Sequence, residues 1–462
     1  MPARRPALVS LLVLACAGTL SLGAAGPASA AFAPHGLWEA TLGEPQSYDT
    51  WADVASAPDG SAYAAGTFDL GMSPLTGDIV VAKYGGSTAG SLTWTRRWDD
   101  PVEHGADWTS ALAVDKKGAV VVAGHSSTAA GSFRWLVLKW SASGAQKWVA
   151  TFAAPASIMD AYVRDVAVDA SGDVYVCGSE AYTGEGVALV VRKLSGATGA
   201  LLWEARYTGP AAGYNTAGAI ALDAAGNAYV SGSGEDSSEV SDMLLAKFAH
   251  ADGRRLWLRR IDGPEHSDDE GMELAITSAG VWATGRAWAA DDNSCRIIVS
   301  RYSPAGKRRW LRTWIEQPGT INDADALAVD AAGNVVVAGS NDPQTVTFEH
   351  ALLLKYNGKG KLLWSRVTYD QAQPFAVWSA VVCRPNGDIW VGGDAKVVAD
   401  RWDLVVARYS PAGQVVWTSN WESAADTDAS CNAIALGKTG LFVAGSISSQ
   451  DESDAVLAMY LK

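Results

Sequence analysis

Eight tryptophans recur at nearly constant spacing along this 462-residue chain, with gaps of 53 to 56 residues. They are Trp38, Trp94, Trp148, Trp203, Trp257, Trp310, Trp364 and Trp417. A period of this size, carrying short strand-like runs and glycine turns, is typical of repeat proteins in which each unit is one small sheet packed on the next. The chain is therefore predicted to contain eight similar units.

The unit that starts at Ala111 shows what one repeat contains. Short strands at 111–115 and 119–123 flank a glycine turn, a third strand spans 135–140, and a fourth surrounds Trp148. Each run is bounded by turn residues, which indicates four antiparallel strands. The turn glycine recurs eight times, as Gly60, Gly118, Gly172, Gly226, Gly280, Gly333, Gly387 and Gly440.

The strands differ in side-chain size in a way that favours a closed ring. The first strand of each unit is built from small residues, as at 219–223 and 326–330, whereas the fourth carries the tryptophan. Small side chains suit a crowded central axis and bulky ones a wide rim, so the fold class is predicted to be an all-β, eight-bladed β-propeller with four-stranded antiparallel blades.

The two ends of the chain predict how the ring closes. The last unit ends after three strands, while one tryptophan strand at 36–42 stands alone before the first full unit. We expect this N-terminal strand to complete the C-terminal blade, because that pairing removes two free edges. The propeller domain would then span 36–462.

The first thirty residues are predicted to be an export signal. Arg4 and Arg5 precede an apolar run from Ala7 to Leu22, and Ala28-Ser29-Ala30 resembles a cleavage site. The expected mature protein begins with a short linker at 31–35, has no transmembrane segment and is secreted or periplasmic. Lipoprotein anchoring at Cys16 is an alternative, against which the apolar run continues past that cysteine.

Charge and cysteine content narrow the classes of partner. The formal net charge is −14, the wrong sign for binding a phosphate backbone, so nucleic acid is not expected as a partner. A monomer is expected.

The other four cysteines, Cys177, Cys295, Cys383 and Cys431, have no metal-like spacing. Cys383 and Cys431 lie in neighbouring repeats and are the pair to test for a disulfide.

Basic residues recur at two places in the repeat. One occurs late in the third strand of seven units, at Lys83, Lys139, Lys193, Lys247, Arg301, Lys355 and Arg408, where the eighth unit has Met459. Recurrence predicts a structural role, such as a salt bridge between neighbouring units. Arginine and lysine clusters near the tryptophans, such as Arg96-Arg97 and Arg259-Arg260, are interpreted as protection of the outer edge strand.

Two segments carry a resemblance to known families. Residues 324–339 (ADALAVDAAGNVVVAG) and 353–364 (LLKYNGKGKLLW) resemble the bacterial β-propeller units called SBBP repeats. The similarity covers essentially residues 36–462, with a degenerate unit at 276–285. It implies the propeller fold, and it brings no catalytic residues with it.

The run Thr198 to Trp203 also resembles the tryptophan-docking motif of quinoprotein-like eight-bladed propellers, whose cofactor is PQQ. In that group the indoles pack between blades and fasten the ring. Its dehydrogenases have adjacent cysteines over the cofactor and longer loops. This chain has neither, so no quinone cofactor is expected, and the resemblance to non-catalytic scaffolds of outer-membrane protein assembly is nearer.

The connections that enter each first strand contain the candidate binding residues, since such loops surround one mouth of the central channel. Polar side chains recur there at Asp49, Asp107, Asp160, Asn215, Asp269, Asn322 and Asp428. A ring of carboxylates could hold Ca²⁺, which binds several oxygen ligands. The alternative, which recurrence favours, is that each side chain caps its own loop.

Aromatic residues gather at the same connections, as Trp51, Trp108, Tyr162, Tyr214 and Trp378. If exposed, they would be stacking platforms for sugar rings, and if buried they would pack one blade on the next. Burial is the more common outcome for such side chains.

The sequence has no recognisable catalytic motif, and its six histidines are scattered. The favoured hypothesis is a secreted, non-enzymatic propeller that binds a cell-surface polysaccharide or an envelope protein through its channel-mouth loops. The alternative is an enzyme with a site over the channel, such as a polysaccharide lyase, a hydrolase or a quinoprotein. A third hypothesis is a purely structural scaffold of the envelope.

Overall fold

A computed structural model of the chain describes most of residues 36–461, and every regular element in it is a β-strand. The described residues are 36–43, 47–69, 77–86, 90–128, 131–153, 161–182, 184, 186–210, 213–235, 240–290, 293–343, 349–368, 375–398, 401–421, 427–449 and 452–461. The predicted signal peptide, the linker at 31–35, Cys16 and Asp160 lie outside this range.

Thirty-two strands follow one another in the order of the repeat. Blades one to four contain β2 (Asp49–Ser56), β3 (Ala62–Asp69), β4 (Gly77–Tyr84), β5 (Leu92–Trp98); β6 (Asp107–Val114), β7 (Val120–Ser127), β8 (Phe133–Trp140), β9 (Gln146–Ala153); β10 (Ala161–Val168), β11 (Val174–Tyr182), β12 (Gly186–Leu194), β13 (Leu201–Tyr207); β14 (Asn215–Leu222), β15 (Ala228–Glu235), β16 (Ser241–Phe248), β17 (Arg255–Ile261). Blades five to seven contain β18 (Asp269–Thr277), β19 (Gly280–Trp288), β20 (Cys295–Tyr302), β21 (Arg308–Trp314); β22 (Ile321–Val329), β23 (Val335–Asp342), β24 (His350–Tyr356), β25 (Leu362–Val367); β26 (Phe375–Cys383), β27 (Ile389–Val398), β28 (Arg401–Tyr409), β29 (Val415–Trp421). Blade eight contains β30 (Asp428–Leu436), β31 (Gly440–Ser448), β32 (Ser453–Leu461) and β1 (Gly36–Leu42).

The strands form eight four-stranded antiparallel sheets, and the first strands of neighbouring sheets contact each other around the whole ring. β1 pairs with β32, so the N-terminal strand completes the last blade. The prediction of an eight-bladed propeller closed by its N-terminal strand is confirmed. Within the described residues, no helix is long and apolar enough to cross a membrane.

The inner strands start earlier than the sequence indicated. In blade two, β6 begins at Asp107, four residues before the predicted start, because a β-bulge between Thr109 and Ala111 lets pairing with β7 continue past the irregular residue. Equivalent register shifts occur on the inner strand of each blade. Most residues predicted for the channel-mouth loops therefore lie at the first or second position of the inner strands.

The hydrophobic core is divided into layers between adjacent blades. In one layer, Trp282 and Val299 of blade five pack against Val337 and Leu354 of blade six, all completely or almost completely buried. Removal of these apolar surfaces from water is the main force that holds the blades together. Because each blade contributes both of its faces, every blade depends on two neighbours.

In blades one to six the repeated tryptophan donates a hydrogen bond to one backbone carbonyl of the next blade. In blade one, the Trp94 Nε1 donates to the carbonyl of Ala142 at 3.2 Å, and Lys83 Nζ donates to the same oxygen at 3.4 Å. Blade six repeats the arrangement, with Trp364 and Lys355 donating to the carbonyl of Pro411. The indoles are thus structural docking groups, as the resemblance to quinoprotein-like propellers implied.

The recurring lysine also forms an ion pair, but within its own blade. Lys355 Nζ lies 3.0 Å from Asp330 Oδ2, and both side chains are almost fully buried. Lys247 pairs with Asp223 in the same way at 3.0 Å. The predicted salt bridge between neighbouring units is therefore wrong, because the acid comes from the tight turn of the same blade and only the carbonyl contact reaches the neighbour.

Arginines beside the tryptophans have a more specific role than edge protection. Arg259 lies over the ring of Trp257, and its Nε donates to the carbonyl of Gly306 in the next blade at 2.7 Å. Arg366 does the same over Trp364, donating to Gly413 at 2.8 Å. These side chains extend the contact between blades out to the rim.

At the closure of the ring the repeated tryptophan packs on the turn glycine of the next blade. Trp38 of β1 lies against Gly90, which has a positive φ, in the outer turn of blade one. On the inner side, Asn432 donates to the carbonyl of Trp51 at 2.8 Å. Cys177, Cys295, Cys383 and Cys431 are all free thiols in this structure.

Replacing Gly360 with alanine is expected to weaken the contact between blades five and six. Gly360 has φ +79°, and an added Cβ would lie 2.7 Å from the Trp310 ring. Gly333 has φ +75° with open space around it, so Gly333→Ala isolates the backbone cost of roughly 1–2 kcal/mol. Gly360→Ala should cost about 1–3 kcal/mol more, measured by chemical denaturation. Equal losses for the two variants would contradict the docking role.

Candidate functional site

The polar residues predicted at the channel mouth are mostly buried. Asp49, Asp107, Asn215, Asp269 and Asn322 have no exposed surface, whereas Asp428 is exposed. Asp49, Asp107, Asn215, Asp269 and Asp428 are the first residues of their inner strands, and Asn322 is the second of β22. Their shared position explains the regular spacing seen in the sequence.

Each buried side chain bonds to the loop that precedes its strand or to a neighbouring strand. Asn322 Nδ2 donates to the carbonyl of Cys295 at 2.8 Å, and Asn215 Nδ2 donates to Gly213 at 3.1 Å. Asp49 accepts from the Ser47 hydroxyl at 2.6 Å. These contacts are those of loop anchors, the alternative that recurrence favoured.

Two of these acids have further carboxylates beside them. Asp107 lies with Asp78 and Asp99, and Asp269 lies with Asp242 and Asp262. In each group the three carboxylate oxygens are all within 4.8 Å of one another. No group of this kind within the described residues combines two members of the predicted ring. Burial raises the pKa of Asp107 and of Asp269 to about 7.

The predicted aromatic residues divide into packed and accessible ones. Trp51 is fully buried against Phe68, and Trp378 is 5% exposed. Trp108 is half-buried, with one face stacked on His125 at 5.1 Å between ring centroids. Tyr162 contacts the same histidine, and Tyr214 is 60% exposed. Only part of the aromatic set is therefore available to a ligand.

A cavity of about 660 Å³ opens where the inner strands of blades seven, eight, one and two begin, and we call it the mouth cavity. Two aromatic side chains, Tyr48 and Trp108, line it. Hydroxyl and amide groups supply much of the remaining wall, from Thr50, Thr109, Ser430, Asn432, Ser446 and Ser448. Aromatic faces combined with neutral hydrogen-bonding groups can bind a polar, uncharged ligand such as a sugar.

One acid in this wall has an unusual environment. Asp394 of β27 accepts from the backbone amide of Cys431 at 2.6 Å, and burial raises its pKa to about 7. A carboxyl group with a pKa close to neutrality can exchange a proton at physiological pH. No sequence pattern marked Asp394, because it lies on the second strand of its blade rather than in a loop.

Three acids on the inner strands, Asp53, Asp165 and Glu273, have raised pKa values. Asp53 bridges blades one and two by accepting from the amide of Leu112 at 2.8 Å, and Asp165 bridges blades three and four through Ile220 at 2.8 Å. Burial raises the pKa of Asp53 to about 7, of Asp165 to about 6 and of Glu273 to about 8. Asp165 and Asp53 also raise the pKa of Glu273, so the charges of these three acids interact.

Comparison with known proteins identifies the fold. No family model matches the chain, and no curated protein matches it. Among solved structures, a europium-containing methanol dehydrogenase matches with a TM-score of 0.57 at 13% identity, covering 92% of each chain. The quinohemoprotein alcohol dehydrogenase from Comamonas testosteroni matches with a TM-score of 0.53 at 12% identity, covering 90% of this chain and 75% of that one.

A third solved structure is Sqt1 from Chaetomium thermophilum bound to the N-terminus of the ribosomal protein L10. It matches with a TM-score of 0.55 at 12% identity, covering 91% of this chain and 98% of that one. At these identities the likeness shows the fold alone, which hosts both dehydrogenases and a peptide-binding protein. The structural resemblance to quinoprotein-type propellers is confirmed at that level. Membership of the SBBP-repeat family stays a prediction.

Replacing Glu273 with glutamine should change how stability depends on pH. The folded pKa of about 8 lies above the roughly 4.3 of an exposed glutamate, so the stability it contributes is complete below that lower value. It is lost as the pH rises to about 8. We therefore expect the melting temperature of the parent protein to fall more than that of Glu273→Gln between pH 5 and about 8.5. The exposed variant Asp252→Asn is the control, and parallel curves for Glu273→Gln and the parent protein would refute the assignment.

Proposed function

We propose that this protein is a secreted, non-enzymatic propeller that binds a segment of an envelope polysaccharide in the mouth cavity. The observation that carries the proposal is the lining of that cavity. Tyr48, 38% exposed, and the half-buried Trp108 provide flat apolar surface, and the hydroxyl-rich wall provides neutral donors and acceptors beside the two carboxyl groups of Asp69 and Asp394. This combination matches the alternating apolar faces and hydroxyl edges of a sugar ring.

The ring geometry supports a binding role for this site. The cavity is shared by four blades, including the split blade eight, and the hydrogen bonds of Asn432 fix its floor to blade one. A wall supplied by several rigid sheets holds its polar groups in place before a ligand arrives, which lowers the entropy lost on binding. Because sugars bind through many weak hydrogen bonds, such rigidity matters more for them than for most ligands.

The location of the protein outside the cytoplasm is part of the same proposal. The N-terminal signal at 1–30 would export the chain, and cleavage near Ala31 would leave a mature protein of strongly acidic composition. The four free cysteines are compatible with an oxidising compartment, since large domains there do not require disulfides. We propose that the mature protein acts as a monomer outside the cytoplasm.

Replacement of Trp108 tests the site. With purified residues 31–462 and a panel of oligosaccharides from bacterial envelope polysaccharides, calorimetry should detect binding to the parent protein. Trp108→Ala should weaken it at least tenfold, because an aromatic stacking contact contributes about 0.5–1.5 kcal/mol beyond its buried area. Tyr48→Ala should also weaken binding, and Trp288→Ala, on blade five, should not. Unchanged affinity in both cavity variants would refute the proposed site.

One of the two acids in the cavity wall supports a second candidate function, a polysaccharide-cleaving enzyme. Asp394 would be its general acid, because burial places the pKa of this carboxyl close to neutrality. The same incubations decide between the two functions. Chain shortening that disappears in Asp394→Asn would support the enzyme, whereas binding without shortening supports the non-enzymatic role. A panel that shows no binding would direct attention to an envelope protein as the partner.

A further inference from the structure

Two of the connections between blades contain the same local pattern. After the outer strand of blade one the chain reads Asp99-Asp100-Pro101-Val102-Glu103-His104-Gly105-Ala106-Asp107, and after that of blade four it reads Asp262-Gly263-Pro264-Glu265-His266-Ser267-Asp268-Asp269. In both, an aspartate follows the outer strand, a Glu-His pair lies in the middle, and an aspartate opens the next inner strand. The two loops differ in length by one residue.

The backbone of the two loops is alike as well. His104 has φ +46° and His266 has φ +51°, and they are the non-glycine residues with positive φ among those that the structure describes. Each histidine places Nδ1 at 2.6 Å from the aspartate that opens its loop, Asp99 or Asp262. The shared conformation sets the orientation of that carboxylate in both loops.

The first group, which we call the blade-one cluster, joins three parts of the ring. Asp78 comes from β4, Asp99 from the end of β5, and Asp107 from the start of β6 in the next blade. Asp78 accepts a hydrogen bond from Arg97. Asp107 Oδ2 accepts from the amide of Asp100 at 3.2 Å. When all three carboxyl groups are ionised, they and the guanidinium carry a net charge of two negative units.

The second group, the blade-four cluster, repeats these relations. Asp242 comes from β16, Asp262 from the end of β17, and Asp269 from the start of β18. Arg260 donates to Asp242 at 2.6 Å, and the amide of Gly263 donates to Asp269 Oδ2. The cluster again contains three carboxylates and one guanidinium, so it also carries two negative charges when all three are ionised.

One oxygen in each cluster is buried without a hydrogen bond. Asp107 and Asp269 have no exposed surface, and the Oδ1 atom of each lacks a donor. The hydroxyl of Ser126, the residue paired with Asp107 across the sheet, lies beside the Asp107 carboxyl group and lowers its pKa, but it is not placed to donate to Oδ1. A buried carboxylate oxygen with no partner is costly, because it loses its hydration without compensation. Each of the two oxygens belongs to a carboxyl group whose cluster holds three carboxylate oxygens within 4.8 Å of one another, where a cation would bind.

We infer that the two clusters are a matched pair of Ca²⁺ sites, each joining the third strand and outer loop of one blade to the inner strand of the next. Calcium takes oxygen ligands, tolerates irregular geometry and prefers carboxylates, which are the groups present. A divalent ion neutralises the two remaining charges of each cluster. The histidines hold Asp99 and Asp262 through their outer oxygens, the arrangement by which neighbouring groups orient the ligands of a metal.

The expected affinity is modest. Asp99 and Asp262 have 40% and 46% of their side-chain surface exposed, so water retains access to each ion. Extracellular calcium modules with such partly open sites bind in the range of about 10⁻⁴–10⁻³ M. At this affinity the ions would strengthen two blade junctions whenever the protein is outside the cell.

Calcium titration of the chelator-stripped chain, residues 31–462, tests the inference at constant ionic strength. Calorimetry should give two Ca²⁺ per chain for the parent protein, with a rise in melting temperature. Asp99→Asn and Asp107→Asn should each leave one ion, as should Asp262→Asn and Asp269→Asn, and the double variant Asp107→Asn/Asp269→Asn should bind none. Asparagine occupies the equivalent position at Asn215 and Asn322, so the buried replacements fit the fold.

Asp49→Asn is the matched control, since Asp49 opens an inner strand in the same way but belongs to neither cluster. It should retain two ions. Absence of Ca²⁺ binding by the parent protein up to about 10⁻³ M would overturn the inference. So would a stoichiometry that the Asp99 and Asp262 replacements leave at two, because these exposed residues can be changed without risk to folding.

Discussion

A single backbone carbonyl in the outer turn of blades two to seven positions each of these blades against the one before it. In blade six the carbonyl of Gly358 accepts from Trp310 Nε1 at 3.1 Å and also from the Arg301 guanidinium of blade five. In the same way, the carbonyl of Pro304 accepts hydrogen bonds from Trp257 Nε1 and Lys247 Nζ. One acceptor thus receives a donor from the rim strand and another from the third strand of the preceding blade. The positions of two strands are fixed at once, and with them the angle between blades.

This arrangement explains why the lysine can be buried. A buried ammonium is stable only when its charge is paired and its remaining protons are bonded. Lys355 meets both requirements, with Asp330 from its own turn and the carbonyl of Pro411 from the next blade. In blade eight the same two positions hold Met459 and Gly437, so the cation and its acid are lost together. Blade five keeps the cation as Arg301 but has Thr277 at the acid position, and there the guanidinium donates to the carbonyls of Gly358 and Ala279.

The fold could be predicted almost completely from the sequence, because the features that build it recur eight times. The tryptophans, the turn glycines and the unpaired strand at 36–42 specified the number of blades and the closure. The start of the inner strands could not be predicted, since the bulge at Ser110 interrupts the strand pattern without ending the strand. The burial of Trp51 and Trp378 beside the half-exposed Trp108 was also beyond prediction, because it depends on packing between blades.

The candidate sites could not be predicted, because their residues do not recur in every blade. Regular spacing drew attention to Asp49, Asn215 and Asn322, whose recurrence is explained by the loops they anchor. A feature that every blade shares is needed by the ring, and it therefore says little about a ligand. Features confined to one or two junctions cannot be requirements of the ring. Asp394 in the mouth cavity and the two Asp–His loops are of this kind, and the departures from the repeat are accordingly where the chemistry specific to this protein is to be sought.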